Sequence, residues 1–295
     1  ACLVGSEMCI RDRIKEKQNR EILQAYMKYE LGITGQAVST INRRFMCIRN
    51  FLKMLEQKRT LAVHATAEDL SDYAKDLLEH HVQAKGFNER IYSIGHFYKF
   101  MEVREYIPKM PFRIEYFQQK VLMVHHDRSV EEIVYMEVLR KLYLFPERLR
   151  CMFLHLWCLG LRASEVCTLK GNAYYQQGED CWIQVYQVKM KNYKKIPIPK
   201  ALYQLMKIYL KKNEIQPEEF IFQNTKGGAC LYDTFRHQML RACRENGIAN
   251  GEYIFRSHDY RHTVATMFYD NEVSLQSIRD YLGHTYEEMT RQYID

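Results

Sequence analysis

Apolar residues recur at three- and four-residue intervals through the first third of the chain, which predicts amphipathic helices. A first stretch ends at Gly32, and a second covers about residues 36–57. A further stretch with the same period covers about residues 87–104. Together with a helix predicted after Thr66, these stretches predict a domain of four short helices at residues 19–105.

The helix after Thr66 is predicted from a capping signal rather than from a long apolar period. Asp69 follows Thr66 by three residues. A threonine hydroxyl can accept a hydrogen bond from the first turn of a helix, and a carboxylate is favourable near the positive end of the helix. The pair therefore predicts that the third helix begins directly after Thr66.

The apolar period lapses at about residues 106–128, where two prolines interrupt the chain. We expect an interdomain linker there. A second domain is predicted at residues 129–295, and its first helices are expected at about residues 129–144 and 146–159. Beyond about residue 200 the helical period returns, so helices are predicted from there to the end of the chain.

A strand pattern separates these two groups of helices. β-Branched and aromatic residues run from Cys181 to Val188 and again from Lys194 to Ile198, with a polar, lysine-rich turn between them. This arrangement is typical of a β-hairpin. The predicted fold class is therefore mainly α with a small antiparallel β-sheet.

The composition is that of a folded protein with a net positive charge. The chain has 295 residues, of which 47% are hydrophobic, so it is long enough for two domains with separate cores. No apolar run approaches the ~20 residues that span a membrane, so we expect no membrane partner and a cytoplasmic location. The net charge of +7 agrees with a polyanionic partner without establishing one.

Both ends of the chain have unusual features. The chain begins with Ala1, and residues 2–13 resemble a translated sequencing adapter, so residues 1–18 are expected to be a non-native or disordered leader. At the other end the chain stops two residues after Tyr293, which we interpret as a truncation. A truncation so close to Tyr293 leaves open whether the chain is active.

Cationic and phenolic side chains follow one another in a fixed order across the second domain. They are Arg162, Lys189, His258, Arg261, His284 and Tyr293. Arginine stays charged and grips phosphate oxygens in pairs, while lysine and histidine carry protons near neutral pH. Tyrosine can form a covalent intermediate when cationic surroundings favour its ionised form. The set is suited to attack on a phosphodiester without a metal ion.

The sequence around these residues resembles the tyrosine recombinases, the family of phage integrases, Xer-type recombinases and transposon-borne integrases. The matching stretches are Leu-Gly-Leu-Arg-Ala-Ser-Glu at 159–165, Ser-His-Asp-Tyr-Arg-His-Thr at 257–263, Leu-Gly-His at 282–284, and Tyr293 nine residues later. The resemblance is close over about residues 130–295 and extends upstream only in pattern. It implies a helical, SAM-like core-binding domain ahead of a mixed α/β catalytic domain.

The resemblance also implies a role for each residue. Arg162 and Arg261 would form a clamp on the scissile phosphate, and Lys189 in the hairpin turn would protonate the departing 5′-oxygen. Lys191 is the second candidate for this general acid, because several lysines crowd the turn. Tyr293 would attack the phosphorus and form a 3′-phosphotyrosyl bond.

The remaining residues would assist these steps. By the same resemblance His258 acts in proton transfer, and His284 donates a hydrogen bond to the phosphate. Glu165 is expected to orient Arg162, although the same pair could be an ordinary ion pair at a helix end. His262 is expected to support packing around His258.

The resemblance predicts a site-specific DNA recombinase, an integrase of a phage or mobile element, that needs no metal ion, cofactor or ATP. Its expected partners are double-stranded DNA, three further copies of the chain in a homotetramer on two DNA sites, and accessory DNA-bending or directionality proteins. The alternatives are a type IB topoisomerase-like enzyme and a DNA-binding but inactive relative. The sequence does not separate integration from excision or dimer resolution, and it does not identify the target DNA.

A basic face on the second predicted helix is the candidate for DNA contact in the first domain. Its residues are Arg43, Arg44, Arg49 and Lys53. Arginine and lysine on one helix face can bind the phosphates of a duplex. A solvated helix surface with no ligand has the same pattern, so both interpretations remain open.

Overall fold

The structure is a computed structural model that describes residues 14–122, 128–188, 190–284 and 290–291. The described residues up to 122 belong to one unit, and those from 128 onward belong to a second. Each unit has its own hydrophobic core. Among the described residues, no helix is both long enough and apolar enough to cross a membrane.

Within its described residues the first unit is a bundle of four helices, of which three were predicted from the apolar period and one from the capping signal. They are α1 (Lys17–Gly32), α2 (Val38–Gln57), α3 (Ala67–Glu79) and α4 (Ala84–Val103). Helix α2 packs against the other three. The capping prediction is confirmed, because the Thr66 side chain accepts a hydrogen bond from the backbone of Asp69 and the Asp69 carboxylate accepts one from the backbone of Thr66.

Two segments outside the predicted helices belong to this unit. Ile14 is fully buried in the core and α1 begins at Lys17, so the predicted leader does not extend over residues 14–18; residues 1–13 lie outside the described part of the chain. Ile107 and Phe112 are buried in the same core, although both fall in the predicted linker. Single apolar residues without a helical period give no local signal of burial, which is why these contacts were not predicted.

The second unit contains seven further helices within its described residues. They are α5 (Glu132–Lys141), α6 (Glu147–Leu159), α7 (Ala163–Cys167), α8 (Lys200–Lys212), α9 (Tyr232–Glu245), α10 (Ser257–Asp270) and α11 (Leu275–Leu282). Helix α6 packs against α10 in the core. Residues 213–231 contain turns and isolated β-bridges rather than the continuous helical pattern predicted beyond residue 200.

A three-stranded antiparallel sheet in the order β1–β2–β3 lies beside these helices. Its strands are β1 (Tyr174–Gln177), β2 (Asp180–Gln187) and β3 (Asn192–Pro197). The predicted hairpin corresponds to β2 and β3, whose ends pair Gln187 with Asn192, and β1 was not predicted. Alternate residues of β2, ending with Gln187, are buried, so one face of the sheet joins the core.

A buried histidine joins α6 to the sheet. His155 is fully buried, with Nδ1 2.6 Å from the carbonyl oxygen of Cys151 and Nε2 2.6 Å from the hydroxyl of Tyr174. The carbonyl can only accept a hydrogen bond, so Nδ1 carries the proton, and Nε2 accepts one from the tyrosine. The imidazole is therefore neutral, and burial lowers its pKa from 6.5 to about 4.

The buried His155 is expected to make the second unit less stable in mild acid. The unfolded chain takes up a proton near pH 6.5 and the folded one only near pH 4, so stability is lost as the pH falls through this range. The free energy of unfolding of the wild type minus that of His155→Phe should therefore fall by about 2 kcal/mol between pH 7 and pH 5. Urea unfolding followed by tryptophan fluorescence measures it, since both tryptophans lie in the second unit.

The exposed His237 on α9 provides the control, because His237→Phe removes a histidine without changing the core. This variant should keep the same stability difference from the wild type at both pH values. Parallel pH curves for the wild type and His155→Phe would contradict a neutral, buried His155.

Candidate active site

A glycine turn places the first arginine of the site. Helix α6 ends at Leu159 and is followed by Gly160, which has a left-handed φ of +57°. A Cβ at this position would lie 3.2 Å from side-chain atoms of both Leu282 and Val264, so another residue would push against α10 and α11 and would also strain the backbone at this φ. The turn leads directly to Arg162 at the start of α7.

Glu165 on α7 is a buried carboxylate that holds Arg162. Only 1% of its side chain is exposed, and its two oxygens accept hydrogen bonds from the backbone N and Nη1 of Arg162 at 2.9 and 3.0 Å. Burial alone would raise the pKa of Glu165. The charges of Lys194, Arg261 and Arg162 outweigh burial and hold that pKa below its usual value, so the carboxylate stays ionised.

Arg261 on α10 is buried at the point where three segments meet. Its Nη1 donates to the carbonyl oxygen of Gly160 at 2.8 Å, and its Nη2 donates to the carbonyl oxygen of Leu282 at 2.6 Å. Nη2 also lies 2.9 Å from Nε2 of His284. Both carbonyls stand at C-terminal ends of helices, where the helix dipole favours a cation. Arg261 therefore joins α6, α10 and α11.

His284 follows α11 after a second glycine turn, at Gly283, whose φ is +69°. A guanidinium can only donate hydrogen bonds, so Nε2 of His284 accepts from Arg261, and Nδ1 carries the proton and faces the hydroxyl of Thr290 at 2.9 Å. Burial lowers the pKa of His284 to about 3, and the positive charge of Arg261 and of the other cations nearby adds to this effect. The imidazole is neutral in this arrangement.

The β2–β3 hairpin contributes a buried lysine. Lys194 on β3 has 9% of its side chain exposed, and its Nζ lies 3.9 Å from the Glu165 carboxylate. The same Nζ is 3.4 Å from the carbonyl oxygens of Tyr281 and Leu282 at the end of α11. Burial lowers the pKa of Lys194 to about 8, although the negative charge of Glu165 opposes this shift.

The hairpin also touches the second glycine turn. The side-chain nitrogen of Gln187 on β2 is 3.5 Å from the carbonyl oxygen of Gly283. A Cβ on Gly283 would clash with the end of the Gln187 side chain, which would have to move, and the positive φ of the turn itself favours glycine.

The two remaining histidines lie on α10. His258 is in the first turn of the helix and is exposed, while His262 one turn later is buried. Their rings pack nearly perpendicular with centroids 5.1 Å apart, which agrees with a packing role for His262. The charge of His258 is among those that lower the pKa of His284, so His258 lies at the edge of the same site.

Four of the predicted residues come together in the described structure, and they are Arg162, Glu165, Arg261 and His284. Lys189 and Tyr293 lie outside the described residues, so their roles stay predictions. Lys191 is exposed at the hairpin turn, with a φ of +54°. The catalytic roles that the resemblance implies for Arg162, Lys189, His258, Arg261, His284 and Tyr293 likewise remain predictions.

The basic residues predicted to contact DNA have different surroundings on α2. Arg43 is exposed and forms an ion pair with Glu89, and Lys53 is also exposed. Arg44 is partly buried and binds both carboxylate oxygens of the buried Glu30, at 2.9 and 3.0 Å. DNA contact by these residues remains a prediction, and Arg44 would have to share its charge with Glu30.

Arg49 is buried, unlike the exposed Arg43 and Lys53. It lies about 120° around the helix from Arg43 at 3.6 residues per turn. That angle places it in the buried stripe between Phe45 and Leu52, and its side chain is buried. Lys53 lies one helical turn later on the same side of α2 and is exposed, so the burial of Arg49 depends on packing within the bundle and not on the helical period alone.

Sequence reasoning missed Lys194 and Gln187 as members of the site. The signal was the two-residue alternation of the hairpin strands. Lys194 has the same parity as the buried Ile196 on β3, and Gln187 has the same parity as the buried residues of β2. Several lysines lie in or beside the turn, so the identity of the residues there did not single out Lys194, whereas the alternation does.

Residues 132–295, more than half of the chain, match the model of the phage integrase family. The chain belongs to this family. Transposase B from transposon Tn554 of Staphylococcus aureus is 27% identical over 293 residues, a stretch that covers 93% of this chain and 45% of the transposase. The chain therefore spans about half the length of this relative. Tyrosine recombinase XerC of Bacillus subtilis is 22% identical over 245 residues, covering 78% of this chain and 76% of XerC.

Two solved structures of recombinases have the same fold as this chain. The XerH site-specific recombinase in a pre-cleavage complex with its difH substrate has a TM-score of 0.69 at 15% identity, covering 99% of this chain and 92% of XerH. A lambda integrase fragment bound as a dimer to a core site has a TM-score of 0.68 at 17% identity, covering 93% of this chain and 94% of the integrase. The predicted fold class is thus confirmed, and the family match does not favour a type IB topoisomerase-like enzyme.

Proposed function

We propose that this phage integrase family member is a site-specific DNA recombinase that cleaves and rejoins DNA through a bond to Tyr293. The observation that carries the proposal is the convergence of Arg162, Arg261 and Lys194 around the single carboxylate of Glu165. Three cations facing one buried anion leave a net positive charge beside a neutral imidazole. Such a group of fixed charges is suited to a phosphodiester whose negative charge increases during the reaction.

The two arginines would divide the work of binding this phosphate. About 17% of the Arg162 side chain is exposed, so its guanidinium can reach a phosphate while it stays hydrogen-bonded to the buried Glu165. Arg261 is hydrogen-bonded to helix-end carbonyls and supplies positive charge from its buried position. Because both positions are set before DNA binds, little reorganisation is needed when the charge develops.

In the chemical step the Tyr293 oxygen attacks the phosphorus, and the bond from phosphorus to the 5′-oxygen breaks. His258 would accept the phenolic proton, and Lys189 or Lys191 would give a proton to the departing 5′-oxygen. The reverse step, with a new 5′-hydroxyl as nucleophile, rejoins the strand. No ATP, metal ion or other cofactor enters this scheme, because the phosphotyrosyl bond conserves the energy of the broken bond.

Double-stranded DNA is the partner that this proposal requires. The XerH and lambda integrase structures that share the fold are complexes with DNA sites. The similarity to a transposon-encoded transposase supports a mobile-element integrase. A homotetramer on two DNA sites, assisted by DNA-bending or directionality proteins, is the assembly in which both duplexes would be cut.

The test uses nicked duplexes from the DNA on either side of the gene, which trap the covalent intermediate because the short cleaved strand diffuses away. Denaturation in detergent followed by electrophoresis should show a protein–DNA adduct for the wild type. Tyr293→Phe should form none, because it lacks the attacking oxygen. Tyr269→Phe removes the hydroxyl of an exposed tyrosine on α10 and should form the adduct normally.

Three other results would contradict parts of this proposal. An adduct that persists in Tyr293→Phe would contradict the assignment of the nucleophile. DNA binding without any adduct in the wild type would contradict enzymatic activity and favour an inactive relative. Relaxation of supercoiled DNA without site preference would favour the topoisomerase alternative.

A further inference from the structure

Lys194 links the hairpin to two other parts of the site. Its ammonium faces Glu165 on α7 and the carbonyl oxygens of Tyr281 and Leu282 at the end of α11. The Leu282 carbonyl also accepts the 2.6 Å hydrogen bond of Arg261. Lys194 and Arg261 thus share one acceptor, and Lys194 and Arg162 share one carboxylate.

We propose that Lys194 is a positioning residue, whose ammonium holds Glu165 and the end of α11 in place so that Arg162 can bind the phosphate while Arg261 stays fixed at the Leu282 carbonyl. This role rests on the proposed function. Lys194 would act through Glu165 and through the Gly283 turn, and it would not itself protonate the 5′-oxygen. That assignment differs from the role predicted for Lys189 or Lys191 in the turn.

The burial of Lys194 supports a specific role. A buried ammonium is costly to desolvate, and an apolar residue of similar volume is often at least as stabilising in such a place. The positive charge of Lys194 serves catalysis in this proposal. Without it, the buried Glu165 would have one cation fewer beside it, in addition to the partly exposed Arg162. A second cation keeps Glu165 ionised and its orientation constant when Arg162 turns towards a phosphate.

The charged groups around Lys194 come from several elements. Glu165 and Arg162 face it from α7, and Arg261 faces it from α10, while the nearby His284 is neutral. Because the pKa of Lys194 is lowered to about 8, the ammonium is charged at pH 7 and largely neutral at pH 9. Its attraction to Glu165 should therefore weaken over this range, whereas an arginine at the same position would stay charged.

The chain offers a matched control on the same strand. Lys195 is exposed, points to the other side of β3, and lies over the ring of Tyr175 at 5.7 Å. Lys195→Met removes the same formal charge as Lys194→Met without touching the buried cluster. The comparison separates the local effect of Lys194 from the general loss of one positive charge.

The experiment measures the rate of adduct formation on the nicked duplexes described above for the wild type, Lys194→Met, Lys194→Arg and Lys195→Met. Lys194→Met should be about 10- to 100-fold slower, the value of one charged hydrogen-bond link, and Lys195→Met should stay within about threefold of the wild type. Lys194→Arg should recover most of the rate at pH 7. From pH 7 to pH 9 its rate relative to the wild type should rise about three- to tenfold, because only the lysine loses its charge.

A substrate with sulfur in place of the departing 5′-oxygen distinguishes positioning from acid catalysis. A thiolate leaves without protonation, so this substrate restores the rate of a variant that lacks only the general acid. Lys194→Met should remain slow on it. Recovery on the sulfur substrate would overturn the positioning role and make Lys194 the acid.

The remaining outcomes are separable. A wild type without adduct would overturn the proposed function and the role of Lys194 together, whereas an active wild type with equal rates for Lys194→Met and Lys195→Met would overturn only the latter. Tryptophan fluorescence checks that each variant is folded. If Lys194→Met does not fold, the pH dependence of Lys194→Arg decides, and a constant ratio to the wild type between pH 7 and pH 9 would overturn the proposal.

Discussion

Replacing Arg261 with leucine is expected to lower the rate of adduct formation by about 10³-fold and the free energy of unfolding of the second unit by about 3–5 kcal/mol. Only 1% of Arg261 is exposed, and it binds the carbonyl oxygens of Gly160 and Leu282. Leucine would leave both acceptors without this donor and would remove one of the cations that keep Glu165 ionised. The loss of catalysis and the loss of stability have the same structural origin.

Two measurements check this result, namely adduct formation on nicked duplexes and urea unfolding followed by the fluorescence of Trp157 and Trp182. Arg241→Leu is the matched control, because Arg241 lies exposed on α9 in a surface ion pair with Glu245. Such pairs contribute little to stability, so this variant should remain within about 1 kcal/mol of the wild type. An Arg261→Leu protein as stable as Arg241→Leu would contradict the framework role of Arg261.

Replacing Arg162 with methionine is expected to lower the rate of adduct formation by about 10²- to 10³-fold with a smaller loss of stability, about 1–2 kcal/mol. Arg162 is partly exposed, and its main partner is Glu165. That carboxylate keeps Lys194 at 3.9 Å and remains in the field of Arg261. The variant should therefore stay folded while losing a donor to the phosphate.

Arg162→Lys distinguishes the geometry of this side chain from its charge. A lysine keeps the charge but lacks the planar fork that can bind a carboxylate and a phosphate together, so it should recover little of the rate. The same adduct and unfolding assays apply to both variants. Full activity in Arg162→Lys, or a loss of stability as large as in Arg261→Leu, would contradict this division between the two arginines.

These two variants show why the site cannot be treated as a set of independent residues. Arg261 shares an acceptor with Lys194, and Glu165 shares its charge with three cations. Effects within such a network are not additive, because each removal changes the environment of the groups that remain. A double variant of Lys194 and Arg261 should therefore lose less activity than the product of the single losses.

Local patterns in the sequence were sufficient for the elements that position the site. The end of α6 at Leu159, the beginning of α3 after Thr66 and the hairpin of β2 and β3 all depend on neighbouring residues, through helical period, capping and alternation. The order of Arg162, Arg261 and His284 and the glycines before two of them also lie within short motifs. For this reason the fold class and the family could be recognised from the chain itself.

Only the tertiary structure decided which side chains meet. Ile14 and Phe112 complete the first core although their surroundings in the sequence carry no helical period, and Arg49 is buried although Lys53, one helical turn later, is exposed. The closeness of Lys194 to Glu165 joins residues 29 positions apart, and that of Arg261 to Gly160 joins residues 101 apart. Contacts at such separations depend on how helices and strands pack together, and the periodicity of a single element cannot specify them.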